Sequence, residues 1–560
     1  MTDVLYVVGV GPYAESVAAT DRLCGKQVQH CSYGQDSTPL PAAAFAGTLA
    51  NVAAAQPGAE FVLGVSETDV RAELVDQFPA LKYVNVIHPS ATVKCTLGTG
   101  NVVLAGASLQ LGGVVGGHNI FSAGSSMELG SRTYDFCSLG PESALCAGAS
   151  LYNGCCIGAG AVVLSGVCLK PWSFIGSGEK VQLSSSLPIY EPHLSPYKAS
   201  ANEAIESGRI SFQGKYPALA IQVLQSKLEI PHVVLTCNGT VATHCLFLAL
   251  KFRHPEVTKI YVPNIVYVAA WNCALMEYDA ECLEVMRTDP ETWNICCDDA
   301  YISSLQPNAA VLIVHNVGNI VDVSRLKALR PDLIFVEDSC EGLFGQYGGA
   351  YVGAHAASLC SAVSFFANKS ITSGEGGAFF TTDDALAEHI HKVCHQGVTS
   401  TRYLHDVHAY NYRMTNIQAA LLYDQLNDLD AILASKRRVF ETYDHLLKDL
   451  FERGIIRAQS VSPDTKRADW MYAIRILGHH EYKELESFFH VNGADVRPMF
   501  LPIYRHAHLS TLGIKDDVSE TIAREVVMLP SSPGISLHEQ KHVARLLRRH
   551  IDHVHSRSPR

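Results

Sequence analysis

Between Ile87 and about Val181 an aliphatic residue is followed, again and again, by glycine or another small residue: Leu97-Gly98, Leu111-Gly112, Val115-Gly116, Leu129-Gly130, Leu139-Gly140, Ile157-Gly158 and Ile175-Gly176. A repeat of such short period predicts a solenoid. Aliphatic side chains stack inside each coil and small residues allow tight corners, so a left-handed parallel β-helix of hexapeptide repeats is expected over 86–184. Ahead of it, Val4 to Gly11 reads as a buried strand ending in Gly9-Val10-Gly11, and strand and helix patterns alternate to about residue 85. This predicts a small Rossmann-like α/β cap over 1–85.

After Ser184-Ser185-Ser186 the pattern changes to short β-rich runs alternating with amphipathic helices. Val233 to Thr236, Lys259 to Val262, Val311 to Val314, Leu333 to Glu337 and Val363 to Phe366 are the runs. They predict a mixed sheet flanked by helices, an α/β domain over 187–560. The fold class is therefore multidomain: cap, β-helix, then α/β domain.

Chemistry concentrates in the third part. Lys369 stands between the strand end Ser364-Phe365-Phe366 and the turn Gly374-Glu375-Gly376-Gly377. A lysine amine forms a Schiff base with an aldehyde, and a pyridoxal phosphate enzyme also needs a carboxylate for the pyridinium nitrogen and a phosphate cradle. Asn238-Gly239-Thr240 closes a strand and opens a helix, where free N–H groups and the Thr240 hydroxyl suit an anion. Asp338 ends the strand Leu333 to Glu337, where ligand sites of α/β sheets lie, and Glu341 follows three residues later. Tyr267 offers a ring to stack on a cofactor, and Ser364 adds a hydroxyl. Each has a plainer reading. Gly239-Thr240 could be only a helix cap, Asp338 and Glu341 could cap the next helix, and Tyr267 could be a core ring.

Composition bounds these readings. The 560 residues are 48% hydrophobic and 18% charged, a globular composition too long for one ordinary domain. A net charge of −12 argues against nucleic acid or a membrane surface as partner, so an anionic ligand must be held by local donors. Met1 to Tyr6 shows no basic leader, and no apolar run approaches the roughly 20 residues that span a bilayer, so a soluble, cytoplasmic protein is expected. The 17 cysteines scatter without a CxxC pair, which predicts reduced thiols rather than disulfides or a metal site.

His88-Pro89-Ser90-Ala91-Thr92-Val93, Asp135-Phe136 and Ile157 to Val163 make cap plus solenoid resemble the sugar O- and N-acyltransferases of the PglD/NeuD type, over about residues 1 to 183. The departures are specific. Pro12-Tyr13 follows Gly11 where that family has a GxGGH turn, and alignment on Asp135-Phe136 puts Leu129 in the place of the catalytic histidine. Leucine cannot accept a proton. His118 lies outside that slot and reads as a corner or surface residue. The resemblance thus implies a degenerate or structural domain, with acetyl-CoA a cofactor only if the domain is active, and with the trimeric assembly usual for such solenoids.

Ile189-Tyr190-Glu191-Pro192, Ser207 to Tyr216, Asn238-Gly239-Thr240, Glu337-Asp338, Ser364 to Gly377, Tyr410 to Thr415, Arg497-Pro498 and Leu529-Pro530-Ser531 occur in one order. Over about residues 188 to 545 they resemble the DegT/DnrJ/EryC1/StrS family of pyridoxal-phosphate sugar aminotransferases. The resemblance implies that Lys369 is the Schiff-base lysine, Asp338 pairs with the ring nitrogen, Glu341 faces the ring hydroxyl and Tyr267 stacks. It gives Gly239, Thr240 and Ser364 to the phosphate, and implies that Asn411 reaches the phosphate of a neighbouring subunit in an obligate homodimer. Arg413 and Arg497 are candidates for a substrate diphosphate or carboxylate, with surface salt bridging the alternative. Ala409 and Asn416 depart from the family pattern in that loop.

The implied reaction moves an amino group from L-glutamate to a nucleotide-linked 4-keto-6-deoxyhexose, with perosamine synthases, which use a GDP sugar, the nearest pattern. Family members that dehydrate the sugar carry histidine in place of the lysine, so Lys369 argues for transamination. Two alternatives stay open for the β-helix: N-acetylation of the amino sugar, or a non-catalytic oligomerisation or sugar-binding module that would join dimers into a larger assembly.

Overall fold

The computed structural model describes residues 4–9, 12–32, 45–182, 186–478, 482–513 and 515–557. Val10 and Gly11 of the glycine turn, and Ser184-Ser185, lie outside the described residues. The chain forms two compact units: Met1–Leu187 with Ser487–Asp495 and Ser536–Arg560, and Pro188–Glu486 with Val496–Ile535.

The first unit opens with a five-stranded parallel sheet in the order Phe45–Thr48, Gln27–Ser32, Val4–Val8, Glu60–Leu63, Lys82–Tyr83. This is the doubly wound arrangement expected of a Rossmann-like cap. Two-residue strands then recur and stack into three parallel sheets of six, five and six strands. Equivalent residues are 18 apart, as in the pairs Leu109 with Met127 and Val115 with Thr133. That is a parallel β-helix with Leu109, Met127, Leu145 and Val163 stacked in its core.

One corner of the β-helix shows why its sequence is irregular. Gly100, His118, Phe136, Gly154 and Trp172 occupy the same corner of successive coils, with φ of 72°, 59°, 63°, 72° and 62°. Three non-glycine residues thus adopt left-handed backbone, at roughly 1–2 kcal/mol each. Large rings lie over small neighbours: a Cβ on Gly100 would meet the His118 ring at 2.4 Å, and one on Gly154 the Trp172 ring at 2.0 Å. His118 is buried, stacked on Phe136 with centroids 5.4 Å apart and edge-on to Tyr83 at 4.7 Å.

The helix Leu537–Arg557 belongs to this first unit. Its His538, Lys541 and Arg545 face Asp69, Glu73 and Asp76 of the cap helix Thr68–Gln77 at 3.5, 3.0 and 3.2 Å. The spacing puts each trio on one helix face.

The second unit is built on a seven-stranded mixed sheet in the order His232–Thr236, Gly377–Thr381, Cys360–Ser364, Ile334–Asp338, Ala310–Val314, Ile260–Val262, Leu283–Val285. Gly377–Thr381 runs antiparallel to both its neighbours. Alternate residues face opposite cores, as the two-residue period of a strand requires. Val234, Leu312, Val336, Ala362 and Phe379 pack with the helix Gly239–Arg253, while Val233, Leu235, Val363, Ala378 and Phe380 pack on the other side. The strand from Cys360 stops at Ser364, short of the expected Phe366: Phe365 N–H still donates across to Gly376 O at 2.8 Å, but Phe365 O accepts from Ser373 N–H at 3.0 Å and the Thr372 hydroxyl at 2.9 Å, which closes the chain into a turn. A four-stranded antiparallel sheet of Ile456–Arg457, Tyr472–Ile476, Val526–Leu529 and Arg497–Pro498 completes the unit. Among the described residues, no helix is long and apolar enough to cross a membrane.

Candidate active site

Thr236, Asp338 and Ser364 end strands that point the same way, so the C-terminal edge of the sheet gathers them. Beyond Thr236, the Asn238 side chain accepts from Val241 N–H at 2.9 Å and starts the helix at Gly239. Gly239 lies so near the Ser364 side chain that a Cβ there would sit 2.6 Å from it. The helix start, Gly239 with exposed Thr240, thereby lies against Ser364, bringing first-turn N–H groups and hydroxyls together, donors of the kind that suit a phosphate.

Asp338 is buried, with Oδ1 accepting from Cys340 N–H at 3.0 Å and Oδ2 from the Thr243 hydroxyl at 3.4 Å. Its neighbour Glu337 is buried too, between the Tyr347 hydroxyl at 3.0 Å and His315 Nε2 at 2.9 Å. Val321 N–H donates to His315 Nδ1 at 3.1 Å, which puts the ring proton on Nε2, where it donates to Glu337. This network fixes the strand end that carries Asp338.

Glu341 accepts from Val317 N–H at 2.8 Å, and burial pushes its carboxyl up to about 7 against the opposing charge of Lys369. Val317 has φ 57°, a left-handed backbone rare for a β-branched residue, so this donor is aimed at Glu341 by strained chain.

Lys369 Nζ lies 4.1 Å from the centroid of the Trp470 ring, a cation over an aromatic face. Its peptide is held on both sides: Trp470 Nε1–H donates to Asn368 O at 2.9 Å, and the Tyr190 hydroxyl donates to Lys369 O at 2.9 Å. A cavity of about 200 Å³ beside Lys369 is lined by Tyr190, His193, Thr372, Gln425 and Ser435 among others.

The remaining sequence candidates divide. Tyr267 is 60% exposed, with Phe500 the ring nearest it at 6.0 Å. Asn411 is exposed and accepts from Arg413 Nε–H at 2.8 Å, while the Arg413 guanidinium lies 3.9 Å from the centroid of the Phe212 ring. A bridge between Thr236 and Arg413, with Cys237 N–H donating to Tyr412 O at 2.8 Å, holds this segment against the strand end at Thr236. Arg497 lies instead near Met471 Sδ at 4.0 Å and acts electrostatically on Glu341, so the two arginines have different neighbours.

Sequence reasoning did not single out Thr243, Trp470 or the His315–Glu337–Tyr347 network. Thr243 was findable, since it follows Thr240 by three residues and so shares a helix face with it. Trp470 carried no local signal. Together, a cradle that one methyl would fill, a buried carboxylate and a lysine amine fit pyridoxal phosphate.

In the first unit, Leu129 is 64% exposed on a coil turn, and its equivalent one coil earlier, Leu111, is 61% exposed. Burial, aided by Arg71, holds His118 down at about 4, so its imidazole is neutral and a weak base at pH 7.

A family model described as the DegT/DnrJ/EryC1/StrS aminotransferase family matches residues 196–548. GDP-perosamine synthase of Escherichia coli O157:H7 is 31% identical over 358 residues, covering 62% of this chain and 94% of that protein. The Vibrio cholerae protein of the same name is 30% identical over 381 residues, covering 65% and 99%. Among solved structures, Helicobacter pylori PseC, an aminotransferase involved in the biosynthesis of pseudoaminic acid, is similar with a TM-score of 0.58 at 22% identity, covering 66% of this chain and all of that one. An E. coli GDP-4-keto-6-deoxy-D-mannose-3-dehydratase with bound hydrated PLP is similar at 0.58 and 17% identity, covering 65% and 99%. At these identities the structural likenesses show the fold.

Proposed function

This chain belongs to the DegT/DnrJ/EryC1/StrS aminotransferase family, and from that premise we propose that it moves the amino group of L-glutamate to a nucleotide-linked 4-keto-6-deoxyhexose, a GDP sugar by preference, giving a 4-amino-4,6-dideoxyhexose. The observation that carries the reading is the convergence of Lys369, Asp338 and the Gly239–Ser364 cradle on one sheet edge. The similarity to two GDP-perosamine synthases supports the choice of sugar.

Bound pyridoxal phosphate would supply an electron sink for the carbanion formed at the amino donor's Cα. Lys369 Nζ would tether the cofactor and, once freed, carry the proton between the amino donor's Cα and the cofactor's C4′. Asp338 would hold a proton on the ring nitrogen, Glu341 would serve the ring-hydroxyl side, and Tyr267 would stack on the ring. Gly239, Thr240 and Ser364 bind the phosphate, joined by Asn411 of a second subunit, which makes the working form a homodimer. Arg413 and Arg497 receive the anionic groups of the substrates.

The β-helix, residues 86–184, is a non-catalytic assembly module that follows the cap of residues 1–85 in sequence, and the aminotransferase domain takes residues 187–560 of the sequence, of which Ser487–Asp495 and Ser536–Arg560 belong to the first compact unit. Two observations favour this over N-acetylation: an exposed leucine stands at the aligned catalytic position, and the nearby histidine is buried and a weak base. The adjacent exposed Leu111 and Leu129 suit contact with a second copy.

Mass analysis of the products from glutamate and GDP- or dTDP-4-keto-6-deoxyhexoses, with and without acetyl-CoA, tests both parts. An amino sugar made by the wild type and not by Lys369→Ala is expected. Undiminished product from Lys369→Ala overturns the mechanism, and an acetamido sugar made only with acetyl-CoA overturns the non-catalytic β-helix.

A further inference from the structure

Lys436, on the helix Leu429–Leu446, is fully buried, and its ammonium donates to two backbone carbonyls, Trp470 O and Ser531 O, each at 2.6 Å. The rings of Tyr190 and Phe440 flank it, with centroids 5.0 and 5.7 Å from Nζ. The anion whose field reaches it, Asp469, is itself ion-paired with Arg437 at 3.0 Å and Arg467 at 3.5 Å. A buried amine bound only to neutral carbonyls is expensive. Burial accordingly holds it down to about 7. Both the ammonium and the neutral amine have enough N–H groups to keep two carbonyl bonds, so the arrangement survives either state.

The groups it ties lead to one place. Trp470 presents its ring to Lys369 Nζ and its Nε1–H to Asn368 O. Ser531 N–H donates to Ile189 O at 3.1 Å and Ser532 Oγ accepts from Glu191 N–H at 2.6 Å, which fixes the segment whose Tyr190 hydroxyl donates to Lys369 O. The two carbonyls that flank the Lys369 backbone are therefore bonded by side chains from the two segments that Lys436 joins. Within the lysine reading argued above, we propose that Lys436 is a positioning residue, a buried three-donor node that clamps Trp470 and Tyr190 onto the Asn368-Lys369 peptide and so aims the Lys369 amine. It touches neither cofactor nor substrate.

The test uses the full-length apo-protein. Pyridoxal phosphate is added, and the rate of its capture is followed by absorbance, with borohydride reduction and peptide mass analysis locating it. Lys436→Met should still place the cofactor on Lys369 but capture it about ten-fold more slowly, and lower kcat about ten-fold with KM for glutamate within two-fold. Lys436→Gln, which retains two N–H donors for the carbonyls, should recover most of both. Lys436→Met with wild-type capture and kcat overturns the proposal, as does Lys436→Gln no better than Lys436→Met. Should Lys436→Met not fold, Trp470→Phe keeps the backbone carbonyl that Lys436 binds but removes the indole donor to Asn368 and part of the ring over Lys369, and wild-type capture by that variant overturns the proposal equally. A wild type that captures no cofactor at Lys369 would instead overturn the reading of Lys369 itself.

Discussion

Gly239 and Ser364 approach so closely that a methyl group on Gly239 would stand 2.6 Å from both Cβ and Oγ of Ser364. Neither side can yield cheaply: Gly239 opens a helix, and Ser364 ends a buried central strand. Gly239→Ala should push the helix start away from the serine and open the proposed phosphate cradle. The dissociation constant for pyridoxal phosphate should rise ten-fold or more, whereas Ser364→Ala, which removes one hydroxyl, should raise it about five-fold. Absorbance titration of the apo-variants measures both, and equal, wild-type affinities would place the phosphate elsewhere.

In the proposed site Asp338 supplies the charge for the cofactor ring and the Thr243 hydroxyl, bonded to its Oδ2 at 3.4 Å, steadies that carboxylate. Asp338→Asn removes the carboxylate at the buried strand end and should lower kcat by roughly 10²-fold or more, with folding retained because the amide oxygen can still accept from Cys340 N–H. Thr243→Val loses a long hydrogen bond of 3.4 Å and should cost less than ten-fold. Steady-state kinetics on both variants decides whether the ring partner is Asp338.

Glu341 gives the apo-protein a pH signature. Burial raises its carboxyl from an ordinary 4.5 to about 7, so between those values the folded chain binds more protons than the unfolded chain. Stability from this group is complete below about pH 4.5 and is lost as pH rises through 7, by an amount of order 3 kcal/mol. Glu341→Gln lacks the titration. The thermal midpoint of the apo wild type should therefore fall relative to Glu341→Gln from pH 4.5 to 7.5, and parallel curves would show that Glu341 titrates normally.

Local motifs made Gly239, Asp338, Ser364 and Lys369 legible, because each stands at a strand end or turn where sequence pattern and backbone geometry agree. The β-helix was legible from its period alone. What the sequence hid depends on distance along the chain. Trp470 reaches Lys369 across about a hundred residues, and Lys541 pairs with Glu73 across most of the chain, so no window of periodicity contains either contact. The corner ladder was hidden for another reason: His118, Phe136 and Trp172 take left-handed backbone that residue preference assigns to glycine, and only the stacking of rings over Gly100 and Gly154 accounts for them. Arg413 and Arg497 looked alike in sequence and are distinguished only by their neighbours, Phe212 for one and Met471 for the other.

Arg71 offers a test confined to the first unit. Its side chain is 1% exposed, and its guanidinium joins the cap to the β-helix: Nη2 donates to Phe136 O at 2.9 Å and Cys137 O at 3.2 Å, and Nη1 to Val65 O and Ser66 O, both at 3.3 Å. Burial pulls this group below the usual arginine range, so part of what the bonds contribute is offset by desolvation. Arg71→Met removes the desolvation with the bonds, and the Cys137 oxygen keeps the Ile120 N–H at 2.9 Å. The net loss should be about 3 kcal/mol, a fall of roughly 6–12 °C in the melting of a unit of this size. Arg71→Lys should not restore it, since a single ammonium cannot span carbonyls on two sides as the planar fork does. Calorimetry resolves the unit's transition, and capture of pyridoxal phosphate at Lys369 serves as the control that stays within two-fold. An unchanged melting temperature for Arg71→Met would mean that apolar packing between cap and coil, rather than this fork, holds the junction.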